Sequence, residues 1–138
     1  MSTARGQDVK QTPGKRTSSS TERPVRRVLN QAQQRTEFLI AALGGGSKVA
    51  SLLGVNRSQP TQWKNGAESP SPEVGRLLID LDYVVARASM LWASDLVIVW
   101  LSSPNAFLDN ARPIDVLAER GSRDVVNALD AELAGSYA

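Results

Sequence analysis

The sequence predicts an all-α protein, and two features of the residue pattern support that fold class. Apolar residues recur at three- and four-residue steps along most of the chain, and no long stretch alternates apolar and polar residues. Ser, Pro and Gly stand where these helical patterns start and stop, and Asn65-Gly66 closes one pattern rather than joining two strands. The 138 residues suffice for one ordinary domain or two very small ones.

Residues 1–24 are polar and basic, and we expect a disordered tail because the segment cannot bury enough apolar area to offset the entropy of ordering. Residues 1–30 carry seven Lys/Arg and two Asp/Glu, whereas residues 80–138 carry four Lys/Arg and nine Asp/Glu. This charge gradient favours binding of DNA by the N-terminal part of the chain and binding of a different partner by the C-terminal part. The plainer alternative is a solubilising tail on a mildly acidic domain.

Three helices are predicted within residues 25–70, each closed by glycine, which adopts left-handed dihedral angles without steric cost. Pro60 is compatible with the third helix only in its first turn, where the missing N–H is not needed. The predicted helices are 25–43, ended by Gly44-Gly45-Gly46; 47–53, capped by Ser47 and ended by Gly54; and about 57–65, capped by Asn56 or Ser58 and ended by Gly66.

The segment 47–66 has the pattern of a DNA-binding helix-turn-helix. Ala50 is a small residue at the position where the second helix must cross the first. Gly54 permits the turn between the two helices, and Val55 is the apolar residue expected to pack between them. Trp63 is expected to anchor the second helix from behind; an ordinary helical hairpin with this residue in its core is the alternative. The front of the second helix offers groups that read bases or hold phosphate, and the predicted DNA-binding residues are Arg57, Ser58, Gln59, Thr61, Gln62 and Lys64.

Residues 71–138 are predicted to form a second helical region, for dimerisation and partner binding. Ser71-Pro72-Glu73 predicts the start of a helix. Ser can accept a hydrogen bond from a free N–H of the first turn, Pro is tolerated in that turn, and the negative charge of Glu interacts favourably with the positive end of the helix dipole. The helix that follows is expected to extend to Leu91 along one apolar stripe. Further starts are predicted at Ser94-Asp95, Ser103-Pro104, Arg112-Pro113 and Ser122, with ends at Gly121 and Gly135.

Two helix starts in quick succession, at Pro104 and Pro113, predict a compact corner. Asn105 and Arg112 are expected to face outward from it, and such a preorganised corner suits a partner surface because little entropy is lost on binding. The large apolar residues nearby are expected in the core, namely Trp100, Phe107, Leu108, Ile114 and Leu117.

The same block carries a resemblance to a known family. Its pattern W-x-x-S-P-N-x-x-L-x-x-x-x-P-x-D-x-L resembles the toxin-binding domain of Xre/MbcA/ParS-type antitoxins, and the preceding segment resembles an Xre-like helix-turn-helix in place and length. The resemblance covers roughly residues 43–138, and the turn Asn110-Ala111-Arg112-Pro113 departs from the family's usual turn. The matching residues are Trp100, Ser103, Pro104, Asn105, Leu108, Pro113, Asp115 and Leu117.

The resemblance implies a type II antitoxin whose partner is a RES-domain toxin that consumes NAD. It also implies repression of the protein's own operon, and since one helix-turn-helix binds weakly, we expect a homodimer on operator DNA. In the family the C-terminal segment lies at the entrance of the toxin's active site. The toxin-binding residues predicted on this basis and from the corner are Ser103, Asn105, Arg112, Gly135, Ser136, Tyr137 and Ala138.

Composition argues against an enzyme, since the chain has no His and no Cys and carries no phosphate-binding or nucleophile motif. We expect no catalytic residue, metal or cofactor. A cytoplasmic location without membrane contact is expected, because the longest apolar run has six residues, Leu96 to Leu101, and a membrane span needs about 20. Two alternatives stay open: a stand-alone helix-turn-helix repressor with a C-terminal dimerisation domain, and an adaptor whose helix-turn-helix is inactive.

Overall fold

A computed structural model describes residues 31–135, and those from Ala32 onward belong to one compact unit. The described residues form helices and no strand, which confirms the predicted all-α class. The predicted tail 1–24, the first turns of the helix 25–43 and residues 136–138 lie outside the described residues. The helices are α1 (31–43), α2 (Gly46–Leu53), α3 (Gln59–Asn65), α4 (Pro72–Ala88), α5 (Ser94–Ser102), a 3-10 turn (Ala106–Leu108), α6 (Pro113–Arg120) and α7 (Arg123–Gly135).

The turn between α1 and α2 uses glycine as predicted, but the cap of α2 differs. Gly44 and Gly45 have φ of 87° and 144°, which L side chains rarely adopt. Gly45 is the N-cap residue of α2, and it has no side chain that could accept a hydrogen bond from the first N–H groups of the helix. Helix α2 therefore begins at Gly46, one residue early, and the prediction that Ser47 caps it is wrong.

Helix α3 begins at Gln59, two residues later than predicted. The N–H of Gln59 donates to the carbonyl of Asn56 at 3.0 Å, and the Gln59 side-chain oxygen accepts from the Asn56 N–H at 3.2 Å. This closed turn holds Arg57 and Ser58 outside the helix. Ser58 occupies the N-cap position, but its hydroxyl makes no capping hydrogen bond. Pro60 lies in the first turn, as its chemistry requires.

Helix α4 has the predicted start and an earlier end. The Ser71 hydroxyl accepts from the N–H of Val74 at 3.2 Å, so the predicted cap is present. The helix ends at Ala88, whose carbonyl accepts from Leu91 and Trp92 in a tight turn. Because the chain turns here toward α5, Leu91 leaves the apolar stripe and is 48% exposed, which corrects the predicted extension.

One hydrophobic core joins α3 to the helices that follow it. Trp63 of α3, Leu81 of α4, Val97 of α5, Leu117 of α6 and Leu129 of α7 are each at most 2% exposed and belong to the same buried cluster. The shared core fixes α2 and α3 relative to the later helices. Within residues 31–135, none of the helices has the length and apolar character that crossing a bilayer would require.

Candidate DNA-binding and partner-binding surfaces

Helices α2 and α3 pack against each other across a glycine turn. Ala50 is 2% exposed, and its carbonyl accepts from the N–H of Val55 at 3.1 Å across the turn. Gly54 has φ of 69°, so a residue with a side chain would be strained there. Trp63 is 2% exposed and anchors α3 from behind, although its indole N–H has no acceptor in the described part of the chain.

The six predicted DNA-binding residues lie in one continuous segment, with different exposures. Arg57, Ser58, Thr61 and Lys64 are exposed, whereas Gln59 and Gln62 are partly buried. The side-chain oxygen of Gln59 accepts a hydrogen bond from the Asn56 N–H, so this oxygen stabilises the turn before α3. No acidic residue occurs between Glu37 and Glu68, while Lys48, Arg57 and Lys64 do. A segment with this charge attracts a polyanion.

A second surface is an open groove between α5, the 3-10 turn and α7, with a volume of about 740 Å³. Trp92 and Trp100 meet in it with ring centroids 6.0 Å apart and planes tilted by 52°. Leu96 and Val99 line it and are 47% and 56% exposed. Exposed apolar surface of this extent is typical of a face that a partner covers.

The predicted corner forms one end of this groove, and it corrects one expectation. Asn105 is partly exposed, and its side-chain oxygen accepts from the backbone N–H of Phe107 at 2.9 Å. Phe107 is not in the core: it is 65% exposed, since the 3-10 turn buries Leu108 and directs its neighbour outward. Trp100 is half-buried, and Ile114 and Leu117 are buried as predicted.

The other predicted toxin-binding residues divide between two places. Ser103 and Asn105 line the groove together, and the Ser103 hydroxyl donates to the carbonyl of Val99 at 2.6 Å. Arg112 lies outside the groove, in a separate cleft beside Lys48 of α2. Gly135 is exposed at the end of α7. Ser136, Tyr137 and Ala138 lie outside the described residues.

Arg112 is exposed as predicted but is held by its own helix. Its guanidinium donates twice to Asp115, at 2.8 and 2.9 Å, and this hydrogen-bonded pair raises the pKa of Arg112. Arg112 also occupies the N-cap position of α6, and Pro113 is the first residue of that helix. The second cleft shares Val99 with the groove, so the two surfaces adjoin along α5.

The toxin-binding residues predicted from the sequence do not include the apolar residues of the groove, Leu96, Val99 and Phe107. A signal was present, because six consecutive residues of α5, 96–101, are apolar and therefore point to all sides of the helix. The pattern could not show which side the protein's own core covers. Phe107 carried no signal, since a 3-10 turn and an α-helical turn place a residue at this position on different sides.

Comparison with known proteins places this groove within a described domain. Residues 87–135 match the family model of the antitoxin Xre/MbcA/ParS C-terminal toxin-binding domain. The match agrees with the resemblance found in the sequence over this C-terminal segment. All residues that line the groove, from Trp92 to Glu132, fall inside the matched segment.

A solved structure shares the fold. The chain is similar to one in the crystal structure of the M. tuberculosis MbcT–MbcA toxin–antitoxin complex, with a TM-score of 0.61 and 24% sequence identity. The likeness covers 75% of this chain and 94% of the other. At that identity it shows the fold alone, which extends well beyond the matched domain. No curated protein matches the sequence.

Proposed function

We propose that this protein is the antitoxin of a type II toxin–antitoxin system, and that it acts by binding a protein toxin through residues 87–135. The observation that carries the proposal is that the segment with the family match is also the segment that builds the apolar groove. The groove is lined by two tryptophans, and Trp is among the residues that most often carry the binding energy of protein interfaces. The protein thus works by covering a surface of its partner, without a reaction of its own.

The toxin that we propose is a RES-type enzyme that consumes NAD, as the family resemblance implies. Helix α7 supports a role for the C-terminal segment, because Ala128, Ala131 and Glu132 line the groove and Gly135 follows within one turn. A toxin seated in the groove would therefore lie next to the point where the chain continues into Ser136, Tyr137 and Ala138. We propose that these residues cover the entrance of the toxin's active site.

We further propose that α2 and α3 bind operator DNA and repress the protein's own operon. The support is the packed helix-turn-helix, with Arg57, Thr61 and Lys64 exposed and no acidic residue nearby in sequence. We propose a homodimer, since one such unit binds weakly. Ile79 and Tyr83, one turn apart on α4, are 49% and 53% exposed and could supply an apolar contact between two copies away from the groove.

Co-expression with the product of the adjacent reading frame tests the proposal. A tagged copy of the chain should retain that product as a stable complex through purification, and the complex should shift a DNA fragment from the promoter of the operon. Capture without a DNA shift would leave the antitoxin function and remove the repressor function. A DNA shift with no captured protein would instead support a stand-alone repressor.

A further inference from the structure

We propose that Phe107 is the side chain that anchors the bound toxin and that Asn105 is the residue that positions it. The inference rests on the proposed antitoxin function and deepens it, since it names the contact and the surface that it fits. It also assigns Asn105 a role through Phe107, in place of the direct contact that the sequence predicts.

Exposure singles out Phe107 among the residues of the groove. Its side chain is 65% exposed, more than Leu96 at 47% or Val99 at 56% on the same surface. Because most of this phenyl ring is in contact with water, burying it against a partner would be favourable through the hydrophobic effect. Its neighbour Leu108 already fills the core position of the 3-10 turn, so the ring has no place in the protein's own core.

The backbone beneath Phe107 is held in advance. Besides capping Phe107, Asn105 donates its N–H to the Ala111 carbonyl at 3.0 Å and accepts at its own carbonyl from Asn110 at 2.8 Å. Asp109 and Asn110 close the loop with φ of 57° and 68°, a conformation that these two residue types tolerate best. Because the loop is already ordered, binding through Phe107 would lose little conformational entropy.

The occupant of this surface is the toxin rather than a second copy of the chain. The groove lies wholly within the segment matched to a toxin-binding domain. That segment carries seven Asp/Glu against four Lys/Arg, and Glu132 lines the groove, so two copies meeting here would bring like charges together. The fitting partner has an apolar pocket for the ring of Phe107, an apolar projection for the groove and a basic rim.

The test measures the affinity of full-length variants for the toxin from the adjacent reading frame. Phe107→Ala should weaken binding by about tenfold or more, as expected for an anchor residue. Its melting temperature should stay at that of the wild type, because an exposed ring contributes little to the core. Met90→Ala, which removes an 81%-exposed apolar side chain that does not line the groove, should leave toxin affinity unchanged.

Variants of Asn105 distinguish a residue that positions Phe107 from a residue that contacts the toxin directly. Asn105→Ala should also weaken binding, and Asn105→Asp should restore it, because Asp keeps the oxygen that accepts from the Phe107 N–H. In the Phe107→Ala background, Asn105→Ala should cause no further loss. Two additive losses would show that Asn105 contacts the toxin directly and would overturn its positioning role.

Two other outcomes contradict the inference in distinguishable ways. If the wild type binds the toxin and Phe107→Ala binds equally well, this inference fails while the antitoxin function stands. If Phe107→Ala instead converts a dimer to a monomer in analytical ultracentrifugation with toxin binding unchanged, the surface belongs to a second copy. If the wild type itself binds no toxin, the proposed function fails and the inference fails with it.

Discussion

Arg87 of α4 donates a hydrogen bond to Asp130 of α7 across 2.7 Å and so connects α4 to the helix that borders the groove. The interaction raises the pKa of Arg87, first through the hydrogen bond and then through the charge of Asp130. Arg87 is also the first residue of the segment matched to the toxin-binding domain. The pair lies at the surface, where solvent weakens the attraction.

Arg87→Ala should therefore lower the melting temperature by no more than about 4 °C, the range expected for an exposed ion pair in a domain of this size. Asp130→Ala should give a similar decrease, and the double variant should be less affected than the two decreases added together. Thermal unfolding followed by circular dichroism measures all three. Full additivity would show that the pair does not couple α4 to α7.

Asp80 provides a pH-dependent prediction. Burial raises the pKa of its carboxyl, and the opposing attraction of Arg76 is smaller. A raised pKa in the folded state means that the charged form costs stability, so this contribution is favourable at low pH and is lost as the pH rises through the folded pKa. Asp80→Asn should raise the melting temperature at neutral pH.

The advantage of Asp80→Asn should shrink as the pH falls toward the ordinary range of an aspartate, because the wild-type carboxyl is then protonated as well. Melting temperatures measured at neutral pH and near pH 4 test this. A variant less stable than the wild type at neutral pH would contradict the assignment.

Replacement of Arg57 and Gln62 by Ala should abolish binding to operator DNA, because it removes a phosphate or base contact and a base-reading amide from α3 and the turn before it. Electrophoretic mobility shift at fixed salt concentration measures the loss. Arg123→Ala removes an 88%-exposed positive charge from the start of α7 and should leave the shift intact. Retained binding by the double variant would favour an inactive helix-turn-helix.

Deletion of residues 135–138 should abolish neutralisation of the toxin and preserve the DNA shift. The physical reason is that α7 borders the groove and the deleted residues continue from it, whereas α2 and α3 do not depend on them. Growth of toxin-expressing cells and mobility shift are measured on the same variant. Undiminished protection would mean that the groove alone suffices for neutralisation.

The sequence predicted the helices well where a local signal fixed them. Ser71 with Pro72, and Arg112 with Pro113, set the starts of α4 and α6, because a cap or a ring acts within one turn. The prediction that Ser47 caps α2 was wrong, because Gly45 is the N-cap residue and the helix begins at Gly46. Glycine adopts a φ of 144° without steric cost, so the residue types alone do not fix where the helix begins.

The candidate surfaces were less accessible to sequence reasoning than the helices. The exposed positions of α3 follow from the period of a helix once Trp63 is assigned to the core. The groove does not follow in this way, because it depends on which apolar face of α5 the core leaves uncovered. Asn105 was identified for its position in the corner, yet its side chain serves the backbone of Phe107.

The most direct test of the central claim is the growth of cells that express the cognate toxin together with this protein. The account predicts that wild-type protein restores growth, and that it does so by forming a complex that can be isolated from those cells. Cell death despite abundant intact protein would contradict it.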